Sequence, residues 1–530
     1  MSNLKKLEHL LTKGKISRRE FISRMSAMGL AAAVSPALLS GRAEAAAPKK
    51  GGRFIIGCTG GSTTDSMDPA TLTSIYNQNL NWQLRNNLVE IDHNFNATPE
   101  LAESWDSTPD ASVWKFKLRR GVEFHNGKTL TADDVIFTFN HHRKEDSKSS
   151  GKALLKAVKN IKKDGPNAVV FELTGGNADF PFLMGDYHFT ICPEGTKGQE
   201  FEKGIGTGGY MLQAWEPGVR ALTKRNPNYW KQGRAHFDEI ELLSVTDRNA
   251  RTNALKTGSI HYMDRVDLKT VHLLKKMPGI NVHAVTGTAH YSIPMMVDQS
   301  PYGDNNVRMA LKLAIDREAL VKTILRGYGE VGNDHPIAPV NKYHADNLEQ
   351  RKYDPDKARY YMKKAGMLDH VFNLHTAEAA FGGATDSSIM IKEHAKKAGI
   401  KINVVREPDD GYWSNVWIKK EWCMCYWGGR PVEDMMFTVA YQSGAPWNDT
   451  HWSNKRFDEL LIAARAELDT DKRGKMYAEM QEICRNDGGT VVPMFNQMVE
   501  ASSDKVTFSG PLSGFMALDG MRICERWWMA

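Results

Sequence analysis

The 530-residue chain reads as a mixed α/β protein of two or three domains. Three observations carry that reading. Single hydrophobic cores stop growing beyond about 250–300 residues, so a chain of this length divides. Hydrophobic residues make up 41% and charged residues 25%, the proportions of a folded globular chain, which excludes a disordered or fibrous one. Apolar patterns of strand and helix period alternate along the sequence with no fixed repeat length and no low-complexity tract.

The formal charge of +6 is concentrated at the start. Residues 1–47 hold Lys5, Lys6, Lys13, Lys15, Arg18, Arg19, Arg24 and Arg42 against Glu8, Glu20 and Glu44, a net of +5, which leaves +1 for the rest. A nearly neutral body has no basic stripe for nucleic acid, and that partner is excluded. Ser17-Arg18-Arg19-Glu20-Phe21-Ile22, the mildly apolar run Met25 to Leu39, and Ala43-Glu44-Ala45 follow the order of a charged, an apolar and a small-residue cleavage region. The arginine pair resembles a twin-arginine export signal, an address and not an anchor, with cleavage expected near Ala45. Ser26, Gly29, Ser35 and Pro36 interrupt the run, and no stretch reaches the ~18 apolar residues of a membrane span. The mature chain is expected in the periplasm.

Phe54-Ile55-Ile56 reads as a strand, followed by a Gly/Ser/Thr-rich loop to Met67-Asp68-Pro69. Strict alternation puts Trp114, Phe116 and Leu118 on the buried face of a strand, continued by Val122 and Phe124, with a turn at Asn126-Gly127. Thr131 caps a helix, with Asp134 as its acidic partner three residues on, and that helix carries Val135, Ile136 and Phe139. Val307, Ala310, Leu311, Ala314 and Ile315 are helically spaced, and Asp316 opens a second helical stretch ending near Gly327. Residues 352–366 and 387–399 read as helices closed by Ala-Gly. Asn403 to Val405 and Met424 to Trp427 read as strands.

Motifs for catalysis are not found. Gly204-Ile205-Gly206-Thr207-Gly208-Gly209 contains the letters of the dinucleotide fingerprint, but no clear strand precedes it and a strand, Tyr210 to Trp215, follows where a helix is required. The common hydrolase, zincin and deaminase signatures are missing, no zinc spacing is evident, and no metal or cofactor is expected. His141, His142 and His451 are read as solvated. Cys58, Cys192, Cys423, Cys425, Cys484 and Cys524 are read as packing cysteines with at most one bridge.

The segment 412–452 stands out. It holds Tyr412, Trp413, Trp417, Trp422, Tyr426, Trp427, Tyr441, Trp447 and Trp452 around Gly428-Gly429-Arg430-Pro431. Most of these rings are expected to fill a core. Two glycines, however, allow close approach to a ligand, and a guanidinium walled by aromatics suits a carboxylate or phosphate.

Several of these pieces, in order, resemble the family 5 extracytoplasmic solute-binding proteins, the dipeptide, oligopeptide and nickel binders of ABC importers. They are Pro99-Glu-Leu-Ala-Glu-Ser-Trp105, Trp114 through Gly127 with Thr131-Ala-Asp-Asp-Val135, Gly206-Thr-Gly-Gly-Tyr210, Asn226-Pro-Asn-Tyr-Trp230, and Val307-Arg308 through Ala314-Ile-Asp-Arg317. The resemblance covers essentially the mature chain. It implies a two-lobed periplasmic-binding-protein fold with an extra domain and a hinge: lobe I from 48–80, 205–285 and 490–530, the extra domain 81–204, and the second lobe 286–489. It implies a monomer that closes on a small-molecule solute and hands it to an inner-membrane permease, without catalysis. An exported cofactor-dependent enzyme, or a chaperone or sensor on the same fold, are the competing readings.

The ligand site departs from the family's pattern. Dipeptide binders hold the peptide ammonium with an Asp just after a Trp-x-Gly; matching Trp427-Gly428-Gly429 places Arg430 there. Their carboxylate-binding Arg falls near Glu378, in Glu378-Ala-Ala-Phe381. Both charges are absent or reversed, so the solute is expected to offer an anionic group to Arg430. Trp427, Gly429, Glu378, Phe381, Trp413 and Trp447 complete the expected site.

Overall fold

The computed structural model describes residues 48–530 apart from Thr73, Asp410 and Gly411. The export signal expected over 1–47 lies outside the described residues.

β1 (Arg53–Cys58) buries Phe54 and Ile56. α1 (Ile75–Leu84) opens at Ser74, whose Oγ accepts from the Asn77 amide while Asn77 Oδ1 accepts from the Ser74 N–H. β2 (Ala102–Ser107), β3 (Val113–Leu118), β4 (Val158–Lys163) and β5 (Ala168–Leu173) form an antiparallel sheet in the order β2-β3-β5-β4. Trp114, Phe116 and Leu118 face its core and Lys115 and Lys117 face solvent, as period-2 alternation requires. α2 (Ala132–Arg143) covers that sheet, and the Thr131 N–H donates to Asp134 Oδ2 at 2.9 Å. The solvated reading of its histidines is corrected. His142 is fully buried with Nδ1 2.6 Å from Ser149 Oγ, and His141 Nε2 lies 2.8 Å from Asp68 Oδ1. Both faces of this turn of α2 are covered by other segments. His451 is half-exposed and sits 2.9 Å from Asp298.

Among the described residues the central sheet has nine strands. β6 (Tyr210–Glu216), β7 (Arg220–Arg225), β8 (Glu239–Ser244), β9 (Tyr262–Met263) and β10 (Ile280–Pro294) come first. α3 (Asn305–Leu313), α4 (Arg317–Thr323) and β11 (Gly329–Val331) follow, then α5 (Pro355–Lys364) and the parallel pair β12 (Val371–Thr376) and β13 (Lys401–Arg406) bridged by α6 (Ala384–Lys397). β14 (Cys425–Trp427), α7 (Glu433–Ala440), α8 (Lys455–Ala466), α9 (Thr470–Asp487) and β15 (Thr490–Ser503) complete the main elements. The sheet order is β14-β10-β15-β9-β1-β8-β7-β6, with β11 also on β15.

β10 and β15 pair antiparallel along most of their length, from Ile280 opposite Ser503 to Pro294 opposite Thr490. One end of this ribbon packs with Leu255, Ile260 and Met263, the other with Leu311, Phe372 and Trp422. It therefore runs from one apolar core to another, and the fold is two-lobed. Separate cores lie around Tyr76, Tyr210 and Trp527, around Phe116, Phe139 and Phe171, and around Phe437, Phe457 and Tyr477.

The glycine loop is explained by packing. A Cβ on Gly206 would stand 2.1 Å from the Leu84 carbonyl oxygen, and one on Gly208 2.4 Å from that of Gln83. The loop lies directly on the end of α1 and leads into β6, so its glycines serve backbone contact. All six cysteines are buried free thiols, as packing cysteines are, and none forms a bridge.

Candidate solute-binding site

β14 is the edge strand, paired with β10 through His290–Trp427, Tyr291–Tyr426 and Ser292–Cys425. Alternation sends Cys425 and Trp427 inward and leaves Tyr426 half-exposed. The chain then turns through Gly428 and Gly429. A Cβ on Gly429 would stand 2.2 Å from Thr288 Oγ1, so the turn can lie on β10 only because the side chain is missing. Thr288 Oγ1 donates to the Arg430 carbonyl at 3.0 Å and fixes the next residue.

Arg430 is half-buried. Its Nη1 donates to the carbonyls of Gly428 at 3.0 Å and Gly429 at 3.1 Å. Nε and Nη2 have no hydrogen-bond partner among the described residues. Burial pulls the guanidinium pKa below its ordinary value, while the Asp186 carboxylate and Tyr187 hold it up. Asp186 forms no ion pair with Arg430 among the described residues; it accepts from the His188 N–H at 3.0 Å and lies 2.7 Å from His188 Nδ1. Arg430 thus has free donors and an acidic neighbour at a short remove. His290, next along β10, is fully buried; burial, with Arg430 adding to it, pushes its pKa down to about 4 and leaves the imidazole neutral.

An aromatic wall adjoins the turn. Trp417 contacts Trp413 at 5.8 Å, Trp427 at 6.1 Å and Trp447 at 6.2 Å between ring centroids, and Trp413 meets Tyr426 at 5.4 Å. The indole N–H groups of Trp417 and Trp427 both donate to Asp449 Oδ2, at 3.1 and 3.3 Å. Burial raises Asp449 to about 6 against these two donors. One buried acid therefore fixes two rings, while Trp413, Tyr426 and Trp447 keep 38%, 48% and 50% of their surface exposed.

Trp427, Trp413 and Trp447 are thus joined through Trp417, and Gly429 and Arg430 follow Trp427 directly in the chain. Glu378 and Phe381 are placed otherwise. The Glu378 carboxylate accepts from the backbone N–H of Gly383 at 2.7 Å and of Thr385 at 3.3 Å, at the start of α6. Phe381 is buried and stacks on Tyr291 at 3.8 Å. No described contact joins either residue to Arg430. Thr288, His290, Asp186, Tyr187 and Asp449 were not anticipated. Only Asp449, beside Trp447 in sequence, had a local signal.

Comparison with known proteins identifies the family. The model of the bacterial extracellular solute-binding proteins, family 5 (middle region), matches residues 96–449, and the chain belongs to that family. It is a solute-binding protein and not an enzyme. Among similar proteins, the di/tripeptide-binding protein 1 of Pseudomonas aeruginosa (strain UCBPP-PA14) is 24% identical over 503 residues, covering 86% of this chain and 91% of that one. The glutathione-binding protein GsiB of Salmonella choleraesuis (strain SC-B67) is 24% identical over 509 residues, covering 91% and 95%. The solved ABC transporter-associated periplasmic binding protein DppA from Helicobacter pylori, in complex with peptide STSA, has the same fold, with a TM-score of 0.74, 22% identity, and coverage of 91% and 98%.

Proposed function

We propose that this chain is the periplasmic substrate-binding component of an ABC importer, capturing a small polar solute between its lobes and delivering it to the inner-membrane permease. The solute is peptide-like or another anionic or zwitterionic metabolite, and it presents a carboxylate, phosphate or sulfate to Arg430. The three-part division 48–80 with 205–285 and 490–530, 81–204, and 286–489 belongs to this reading and is supported by the separate apolar cores.

The observation that carries the reading is the guanidinium itself: half-buried, fixed by a Gly-Gly turn, with Nε and Nη2 unpartnered among the described residues. Unpartnered donors on a partly buried guanidinium favour an anionic acceptor. Asp186, near enough for its charge to act on Arg430, offers the complementary charge for an ammonium on the same solute. The peptides and glutathione named for the similar proteins are zwitterions of this kind.

Calorimetric titration of Arg430→Ala with the solute released from wild-type protein tests this. A charge-assisted hydrogen bond is worth about 1.5–3 kcal/mol, so affinity should fall about 10- to 150-fold. Wild-type affinity in Arg430→Ala refutes the assignment.

A further inference from the structure

Just past Arg430 the chain enters α7, and there the far lobe meets the four-stranded sheet. Met435 packs against that sheet's core. The Ala178 N–H donates to the Arg465 carbonyl at 2.6 Å. Gly176 lies so near the end of α8 that a Cβ there would stand 2.9 Å from Ala466 Cβ. Asp179, in the loop after β5, forms an ion pair with Arg473 of α9, and both side chains are more than nine-tenths buried.

Arg473 is prepared for this partner by its own lobe. Its guanidinium lies over the rings of Tyr343 and Tyr477, at 5.6 and 5.4 Å, and Nε donates to the Ala464 carbonyl at 2.9 Å. Arg465 donates to Asp434 Oδ1 at 2.9 Å, and Glu433 accepts from the Tyr343 N–H at 2.7 Å. Among the charged groups of this seam, Asp179 alone comes from the side of the four-stranded sheet. A buried ion pair is held only while both partners are present, because losing one strands the other charge away from water. Hinge opening avoids that cost by hydrating both.

We propose that Asp179 and Arg473 form a closure latch, made when the lobe carrying α7–α9 swings onto the four-stranded sheet and broken when the cleft opens. The latch rests on the solute-capture reading above and adds to it a device that stabilises the closed form. The seam gathers three carboxylates (Asp179, Glu433, Asp434), two guanidinium groups (Arg465, Arg473) and the Tyr477 hydroxyl. Burial raises Glu433 to about 7 and Asp434 to about 6. Closure brings the Asp179 carboxylate up to both and adds to that rise, so they hold protons more tightly closed than open, and closure is favoured as pH falls below 7 and weakened as pH rises through that value.

The test reads distance and needs no solute. The six native cysteines are buried, so spin labels can be directed to Lys159→Cys on β4 and Ile462→Cys on α8, both exposed in the full chain. Pulsed electron resonance should show a short-distance population at pH 5 that shrinks toward pH 8. Asp179→Asn and Arg473→Met should each cut the short-to-long ratio at least about tenfold. Arg456→Met, which breaks the exposed Arg456–Glu479 pair on the same two helices, should leave it unchanged. Folded latch variants with the wild-type distribution overturn the proposal, as does a wild-type chain with no short-distance population. If the variants do not fold, amide exchange in the wild type decides. The Ala178 N–H should exchange at least about 100-fold faster than the Phe116 N–H in β3, because a latch opens without global unfolding; equal protection overturns it. Failure of the Arg430 reading changes affinity data and leaves these distances untouched.

Discussion

Gly429→Ala tests whether the turn before Arg430 is held by contact with β10. The added Cβ would stand 2.2 Å from Thr288 Oγ1 and 3.0 Å from the Ala289 nitrogen. The first distance is short of ordinary van der Waals contact by more than about 1 Å, so the turn must lift or the strand must yield. Overpacking of this size costs about 1–3 kcal/mol. Thr288→Ala removes the clashing oxygen but also its hydrogen bond to the Arg430 carbonyl, a loss of about 1 kcal/mol. The double variant should therefore be more stable than the sum of the two losses implies, by a coupling of about 0.5 kcal/mol or more. Urea unfolding followed by tryptophan emission measures the midpoint shift of each variant. A Gly429→Ala protein with the wild-type midpoint, or strictly additive losses, refutes the contact as the turn's determinant. If the reasoning holds, Gly429→Ala also weakens solute binding, because Arg430 moves with the turn.

Glu500 is buried; it accepts from the Leu518 N–H at 3.0 Å and from the Tyr262 hydroxyl at 2.8 Å, and burial pushes it up to about 8. A carboxyl raised on folding gives stability that is complete below its ordinary value and is lost as pH rises through 8; Glu500→Gln should flatten that decline between pH 5 and 9 in thermal melts, and an unchanged slope contradicts the assignment. The buried thiols should give no reaction with a thiol reagent in native protein and six equivalents after denaturation; fewer than six would mean a bridge that the fold does not contain.

What was legible in the sequence is what elementary periodicity encodes. Trp114, Phe116 and Leu118 alternate because one face of β3 is buried and the other wet. Thr131 and Asp134 announce α2 because a cap and its partner are three residues apart. The turn at Arg430 was legible because two consecutive glycines before a charged residue mark close backbone approach, and Thr288 supplies that contact.

What was not legible depends on partners far away in the chain. α1 is half amide side chains yet buried on every side: Asn79 donates to the Met521 carbonyl at 3.2 Å, Asn81 to Thr190 Oγ1 at 3.0 Å, and Gln83 accepts from the Thr223 hydroxyl at 2.7 Å. Tyr76, Leu80 and Leu84 do form an apolar stripe, but the amides opposite it read as a wet face and are instead satisfied by distant segments. Glu378 stands near the expected carboxylate-binding position, but its local role is set by two unpaired amides at the start of α6. The Asp186 charge acts on Arg430 only because the fold brings their segments together, so charge read along the chain leaves out an acidic neighbour.

The central claim is that this chain captures an anionic or zwitterionic solute through Arg430. Mass spectrometry of what wild-type and Arg430→Ala proteins, purified from periplasm, release on denaturation tests it most directly. A small solute bearing a carboxylate, phosphate or sulfate should appear near one equivalent from the wild type and be strongly depleted in the variant, since slow release accompanies tight binding. A nucleotide or flavin cofactor, a purely cationic solute, or equal retention by the two proteins would contradict it.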